Sequence, residues 1–144
     1  MAETKRVFDY RAAQPGDDWP VLDMPPVTRL ALALYCGASG DHNPLHVDSD
    51  FAREAGVGDV IAHGMLVMAY MGRTVTRCVP QSALREFSTR FQAMTRVGDA
   101  IRCTVAITGR EMNEQGEDCL KLTVTATDQR GEVQAQGEAS NALG

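Results

Sequence analysis

The chain has 144 residues, a size that fits one domain with a real apolar core. Its hydrophobic content of 44% and charged content of 23% are ordinary for a soluble globular protein, and its longest apolar stretch, 61–71, is too short to span a bilayer. The net charge of −5 argues against nucleic acid or an anionic membrane surface as partner. A phosphate-bearing ligand would need only a local basic patch, for which Arg73, Arg77, Arg85, Arg90 and Arg96 are candidates.

The N-terminal segment lacks the apolar stretch of a signal peptide. Cys36, Cys78, Cys103 and Cys119 are widely spaced with no CxxC, which reads as four reduced thiols in or near the core of a cytoplasmic protein. Residues 1–26 form an irregular lead-in with one short strand, stopped by Pro25-Pro26. Thr28 caps a helix over 29–38, with Leu30, Leu32, Ala33 and Leu34 as its apolar side, and Gly37 to Gly40 end it. Pro44 prevents that helix from continuing and pushes Asn43 toward extended geometry. A short helix follows over 49–54, capped by Asp48 or Ser49 and stopped at Gly56.

From Ala62 to Cys78 the apolar residues fall on every face, the pattern of a buried helix, which Val79-Pro80 terminates. The rest alternates with period two. Strands are expected over 87–94, 101–108, 120–127 and 133–139, with tight turns at 113–116 and 128–131. The order gives an α+β architecture in which one face of an antiparallel sheet wraps around the buried helix. A sheet edge and part of the helix still need cover, which a symmetric dimer would supply.

Chemistry concentrates in 35–65, which holds all three histidines. Asp41 and His46 stand five residues apart, about 500° around a straight helix, so only the turn at Pro44 lets them converge. A carboxylate beside an imidazole suits acid–base work, with Asn43 between them to position a water or a carbonyl. The same residues would also serve a plain turn, with Asp41 as cap and His46 as a satisfied core histidine. Gly64, near the start of the apolar helix, offers backbone N–H groups at the positive end of the helix dipole to a carbonyl gaining charge. It would equally permit close helix packing. His63 reads as structural or as a site residue. No metal site is expected: Pro44 spoils the His42–His46 spacing for zinc, and Asp41, Asn43, Asp48 and Asp50 lack the glycine and terminal glutamate of a calcium loop.

Tyr35, Ser39-Gly40-Asp41, Asn43-Pro44-Leu45-His46 and Ala52 together resemble the signature of the (R)-specific enoyl-CoA hydratases, the MaoC-like dehydratases. Ile61-Ala62-His63-Gly64-Met65 resembles that family's second motif, and Arg90-Phe91 and Val97-Gly98-Asp99 fit it further along. The resemblance implies a single hot-dog domain over 1–144, a curved antiparallel sheet around a long helix, paired into a dimer. It implies Asp41 and His46 as the catalytic pair, Asn43 as a positioning residue and the Gly64 N–H as oxyanion donor, with His63 in the same motif. Arg90 and Arg85 become candidates for the CoA phosphates. Some members carry a serine where this chain has Gly72, which would enlarge the acyl pocket or remove a hydrogen bond.

The implied reaction is hydration of a trans-2-enoyl-CoA to the (3R)-hydroxyacyl-CoA, or the reverse, with no cofactor and no metal. The alternatives are dehydration of a (3R)-hydroxyacyl group on acyl carrier protein, the catalytic subunit of a heteromeric hydratase in place of a homo-oligomer, a non-catalytic acyl-CoA-binding module, and a thioesterase of the same fold.

Overall fold

The computed structural model describes residues 8–144. The first seven residues, part of the segment read as lacking a leader sequence, lie outside the described residues. The elements in chain order are β1 (Leu22–Asp23), α1 (Arg29–Ser39), α2 (Ser49–Glu54), α3 (Gly64–Thr76), β2 (Leu84–Phe91), β3 (Arg102–Met112), β4 (Asp118–Thr127) and β5 (Val133–Ala142). Single 3-10 turns at Pro44–His46 and Gln81–Ala83 link them. No helix among the described residues is long and apolar enough to cross a membrane.

The strands form one antiparallel sheet in the order β1-β3-β4-β5-β2. Alternation makes it one-sided. Cys103, Val105 and Ile107 of β3 and Leu120, Leu122, Val124 and Ala126 of β4 turn inward and are buried, against Val67, Met71 and Val75 of α3. This is the sheet curved around a helix that the sequence implies. β2 lies so close to β5 that a Cβ on Gly137 would fall 1.7 Å from the Ser88 carbonyl oxygen, so only glycine fits there.

Three expectations need correction. The strand expected over 87–94 is Leu84–Phe91 instead. It leaves the ladder after Phe91 because the N–H groups of Gln92 and Ala93 both turn to the Gln134 carbonyl. The apolar side of α1 is not the leucine run. Leu32 and Cys36, one helical turn apart, are buried, whereas Leu30 and Leu34 are 68% and 65% exposed. Two residues advance a helix by about 200°, so these two pairs face opposite ways. α3 is not buried on every face either: Leu66, Val67, Met71, Thr74 and Val75 are buried, but Met65, 55% exposed, begins an exposed row continued by Ala69 and Arg73.

A second, smaller core lies apart from the sheet. Val27, Leu32, Ala52, Val60, Ala62 and Leu66 bury one another and hold α1, α2 and the start of α3 together. His46 directly follows Leu45, and His63 and Gly64 directly follow Ala62, both of which pack in this cluster.

Candidate active site

The loop after α1 presents Asp41. Thr28 caps the start of α1 as expected, its Oγ1 accepting from the Ala31 N–H at 3.0 Å. Gly40 ends the helix in the left-handed region at φ 75°, a conformation that suits glycine. The Asp41 N–H then donates to the Ser39 hydroxyl, and Asp41 Oδ1 accepts from the Asn43 N–H at 3.2 Å. One carboxylate oxygen is thereby tied to the turn, and the other, Oδ2, is left facing His46. The Asn43 Oδ1 accepts from the Leu45 N–H at 3.0 Å, so this side chain caps the 3-10 turn rather than reaching outward with its oxygen.

His46 is fixed from the other side. Its Nδ1 lies 2.8 Å from the Ile61 carbonyl, which can only accept, so Nδ1 carries the proton and Nε2 is bare in the neutral ring. Nε2 stands 3.8 Å from Asp41 Oδ2. That is beyond a good hydrogen bond and leaves both atoms free for a third oxygen between them. The imidazole is 10% exposed and the Asp41 side chain 49%, so the pair has a dry side and a wet side.

His63 completes the group. It is 1% exposed and its ring stacks on that of His46, with centroids 3.7 Å apart and planes 23° from parallel. Its Nε2 lies 3.3 Å from the Asp41 carbonyl and 3.4 Å from Cys36 Sγ, while its Nδ1 is buried without a partner among the described residues. Burial first, then the neighbouring His46, push the His63 imidazole below its ordinary value of 6.5, with the Asp41 carbonyl and carboxylate pulling the other way.

Asp41, His46 and His63 offer ligand atoms within 4.8 Å of one another. A metal takes an imidazole lone pair in the ring plane at about 2.0–2.1 Å. Two rings stacked nearly parallel direct their lone pairs side by side instead of at one point. The arrangement therefore suits the handling of a proton better than ligation.

Gly64 is the first residue of α3, and no side chain among the described residues caps that end. Its N–H has no intrahelical acceptor and points out along the positive end of the helix. A Cβ there would meet the Phe91 ring at 3.2 Å, so the glycine also admits that ring. The close packing at Gly64 is therefore against a ring from β2, not against another helix. Gly64, Phe91, Ile61, Val67 and Met94 line an apolar cavity of about 170 Å³ next to this helix start, with Gln134 at its wall. The Gln134 Oε1 accepts from the Thr95 hydroxyl at 3.1 Å, so this buried amide is held in place.

Other candidates lie elsewhere. Arg85 is not free for a phosphate: its Nε and Nη2 donate to both carboxylate oxygens of Glu117, at 2.9 and 2.7 Å, and its Nη1 to the Ser82 carbonyl. Arg90 is exposed on β2, and alternation turns it to the sheet face opposite Phe91 and the start of α3. Arg96 donates to the Val57 carbonyl. Gly72 does not open a pocket, because the Phe87 ring lies at ordinary contact distance, 3.4 Å, from where its Cβ would be. Asp48 caps α2 and Asp50 pairs with Arg53, which accounts for the acidic run. Tyr35, whose ring meets His63 edge-on at 4.7 Å, was legible only as part of the family signature, and Cys36, beside His63 Nε2, only as a reduced thiol in or near the core.

A family model described as "MaoC like domain" matches residues 13–130. An (R)-specific enoyl-CoA hydratase of Rhodospirillum rubrum is 34% identical over 116 residues, which cover 79% of this chain and 78% of that protein. A 3-hydroxyacyl-thioester dehydratase Z of Mycobacterium tuberculosis is 28% identical, covering 99% of this chain and 93% of its own. Among solved structures, the (R)-hydratase from A. caviae involved in PHA biosynthesis superposes with a TM-score of 0.79 at 25% identity, over 92% of this chain and 98% of that one.

Proposed function

The chain belongs to the MaoC-like domain family, and from that premise we propose that it adds water reversibly across the double bond of a trans-2-enoyl thioester, giving the (3R)-hydroxyacyl thioester. The observation that carries this reading is the facing of Asp41 Oδ2 and His46 Nε2 across 3.8 Å, beside the uncapped start of α3. A binding module has no need of such a pair.

A water held between the two atoms gives its oxygen to C3 and a proton to the pair, while a proton passes from the pair to C2. Atoms and charge balance: enoyl thioester and water become hydroxyacyl thioester. As the bond at C3 forms, the thioester carbonyl becomes enolate-like, and the Gly64 N–H donates to it at the positive helix end. The Ile61 carbonyl holds the His46 ring in the tautomer that leaves Nε2 bare. The cavity next to Gly64 is where the acyl chain enters, and its volume of about 170 Å³ favours a short one. The carrier is coenzyme A, as it is for the (R)-specific enoyl-CoA hydratase of R. rubrum, with Arg90 the remaining candidate for its phosphates. A second copy of the chain covers the free edge of β2 and the exposed row of α3. The four free cysteines fit a reducing compartment, in keeping with a cytoplasmic enzyme.

The test is purified protein with crotonyl-CoA, followed by loss of the enoyl-thioester absorbance, with Asp41→Asn as the control. Positioned acid–base groups contribute about 10²–10⁴-fold, and the variant is expected to lose that much in kcat while unfolding at the wild-type temperature. Near-normal turnover by Asp41→Asn would remove the pair from the mechanism.

A further inference from the structure

His63 touches the Asp41 loop and the His46 ring and is spent on none of the steps above. It is the residue just before α3, so its own backbone leads into the Gly64 N–H, and its carbonyl accepts from the Leu66 N–H at 3.1 Å in the first turn. Its ring lies against that of His46 at 3.7 Å, and its Nε2 reaches the backbone carbonyl of Asp41. One residue, its side chain buried to 1% exposure, thus meets the backbone of the Asp41 loop and the His46 ring through its imidazole and leads into the oxyanion donor through its own backbone.

We propose that His63 is a positioning residue: a permanently neutral imidazole, protonated at Nε2 alone, that holds the Asp41 loop and the His46 ring at a fixed distance from the start of α3. The proposal rests on the hydratase reading for its kinetic meaning. The geometry explains why this position is a histidine. A phenylalanine has a face to stack on His46 but no donor for the Asp41 carbonyl. An asparagine has a donor but no face. Only an imidazole brings a flat ring and an edge N–H in this volume.

The carbonyl of Asp41 can only accept, which puts the proton of His63 on Nε2, with Cys36 Sγ alongside at 3.4 Å. Nδ1 is then a bare, buried acceptor without a partner among the described residues. A fold keeps such an atom at a cost unless the ring serves another purpose. The groups facing His63 are His46 from the 3-10 turn, Asp41 from its loop, and Cys36 and Tyr35 from α1. A cation stacked on His46 would oppose any proton that His46 carries for the pair in turnover. Burial and that neighbour both disfavour a charge on His63.

The experiment has two arms. In the first, imidazole nitrogens of the uniformly ¹⁵N-labelled wild-type protein are followed by NMR across about pH 5 to 8, the window in which histidine ordinarily titrates, with His63 assigned by its loss in His63→Phe or His63→Gln. The expected result is Nε2 protonated and Nδ1 bare throughout. A proton on Nδ1, or an ordinary histidine titration, would overturn the proposal. In the second, kcat and KM for crotonyl-CoA are measured for the two variants. Displacing reacting groups by about 1 Å costs on the order of 100-fold. We expect His63→Phe to lose at least tenfold in kcat with KM held within about twofold, and His63→Gln, which keeps a donor for the Asp41 carbonyl, to fall between it and wild type. A folded His63→Phe with wild-type kcat would overturn the proposal. If the wild-type protein itself has no hydratase activity, the functional reading falls, and the NMR arm still decides the state of His63.

Discussion

The molecule has two cores with opposite characters. The larger, between α3 and the sheet, is built almost wholly from buried aliphatic side chains such as Leu120, Leu122, Val124 and Met71. The smaller, beneath 35–65, is a handful of residues around Leu32, Ala52 and Leu66, and it carries two buried imidazoles and a buried thiol above it. α3 serves both: Val67, Met71 and Val75 belong to the first and Leu66 to the second, with Tyr70 packed against each. The difference separates tasks. The sheet half supplies cooperativity and a rigid helix, and the small core holds polar groups whose spacing matters more than their contribution to stability.

The largest test of the rigid half is Gly137→Ala. The new Cβ would meet backbone, the Ser88 carbonyl oxygen and carbon, with no flexible side chain to give way. Overpacking costs about 1–3 kcal/mol where side chains can move, so a loss of about 3 kcal/mol or more in denaturant unfolding is expected here, with β2 separated from β5. A variant as stable as wild type would mean that the sheet half yields where its geometry says it cannot.

Next in size is a matched pair, Leu122→Ala and Leu32→Ala. Both residues are completely buried, one in each core. Each substitution should cost about 2–5 kcal/mol if the surroundings respond alike. They are expected to differ in where the loss appears. Leu122→Ala lowers the protection of amides throughout the sheet in hydrogen exchange. Leu32→Ala opens the amides of α1 and the loop to Ile61 while those of β3, β4 and β5 stay protected. Equal loss of protection everywhere in both variants would merge the two cores into one cooperative unit.

The same division governs what could be read from sequence. Where a residue's environment is decided by its near neighbours, the reading was close: Thr28 at its cap, the alternation of β3 and β4, the turn at Pro44 that brings Asp41 to His46. Where it is decided by a distant segment, local pattern carried no signal. Nothing in Ile61-Ala62-His63 announces that its imidazole stacks on that of His46, and nothing near Gly64 or Gly72 shows that Phe91 and Phe87 fill the space beside them. Leu30 and Leu34 misled because two faces of α1 are apolar and only the fold says which one is covered. Arg85 looked available because its partner, Glu117, approaches from a turn across the sheet.

The smallest effects come from two ion pairs, one in each half. Arg29, at the start of α1, clamps Asp59 with both guanidinium nitrogens, which closes the small core toward Ile61. Arg85 does the same for Glu117 and ties the start of β2 to the turn between β3 and β4. Arg29, then the Val60 N–H, holds Asp59 at about 2 instead of 3.8, and Arg85, then the Asn113 amide, holds Glu117 at about 2 instead of 4.5. Both carboxylates are depressed, so the stability each gives is present above its ordinary value and is lost as pH falls from there toward about 2. Thermal midpoints of Asp59→Asn and Glu117→Gln should therefore lie slightly below wild type at neutral pH and converge on it in acid, Glu117→Gln beginning to converge first. The shifts are small because these side chains remain partly in water and are screened by salt. Hydrogen exchange gives them their value: Asp59→Asn should loosen α1 and the loop before Ile61, and Glu117→Gln the beginning of β2. If Asp59→Asn instead loosened the sheet, the site would owe its shape to the large core directly, and the small core would be only its cover.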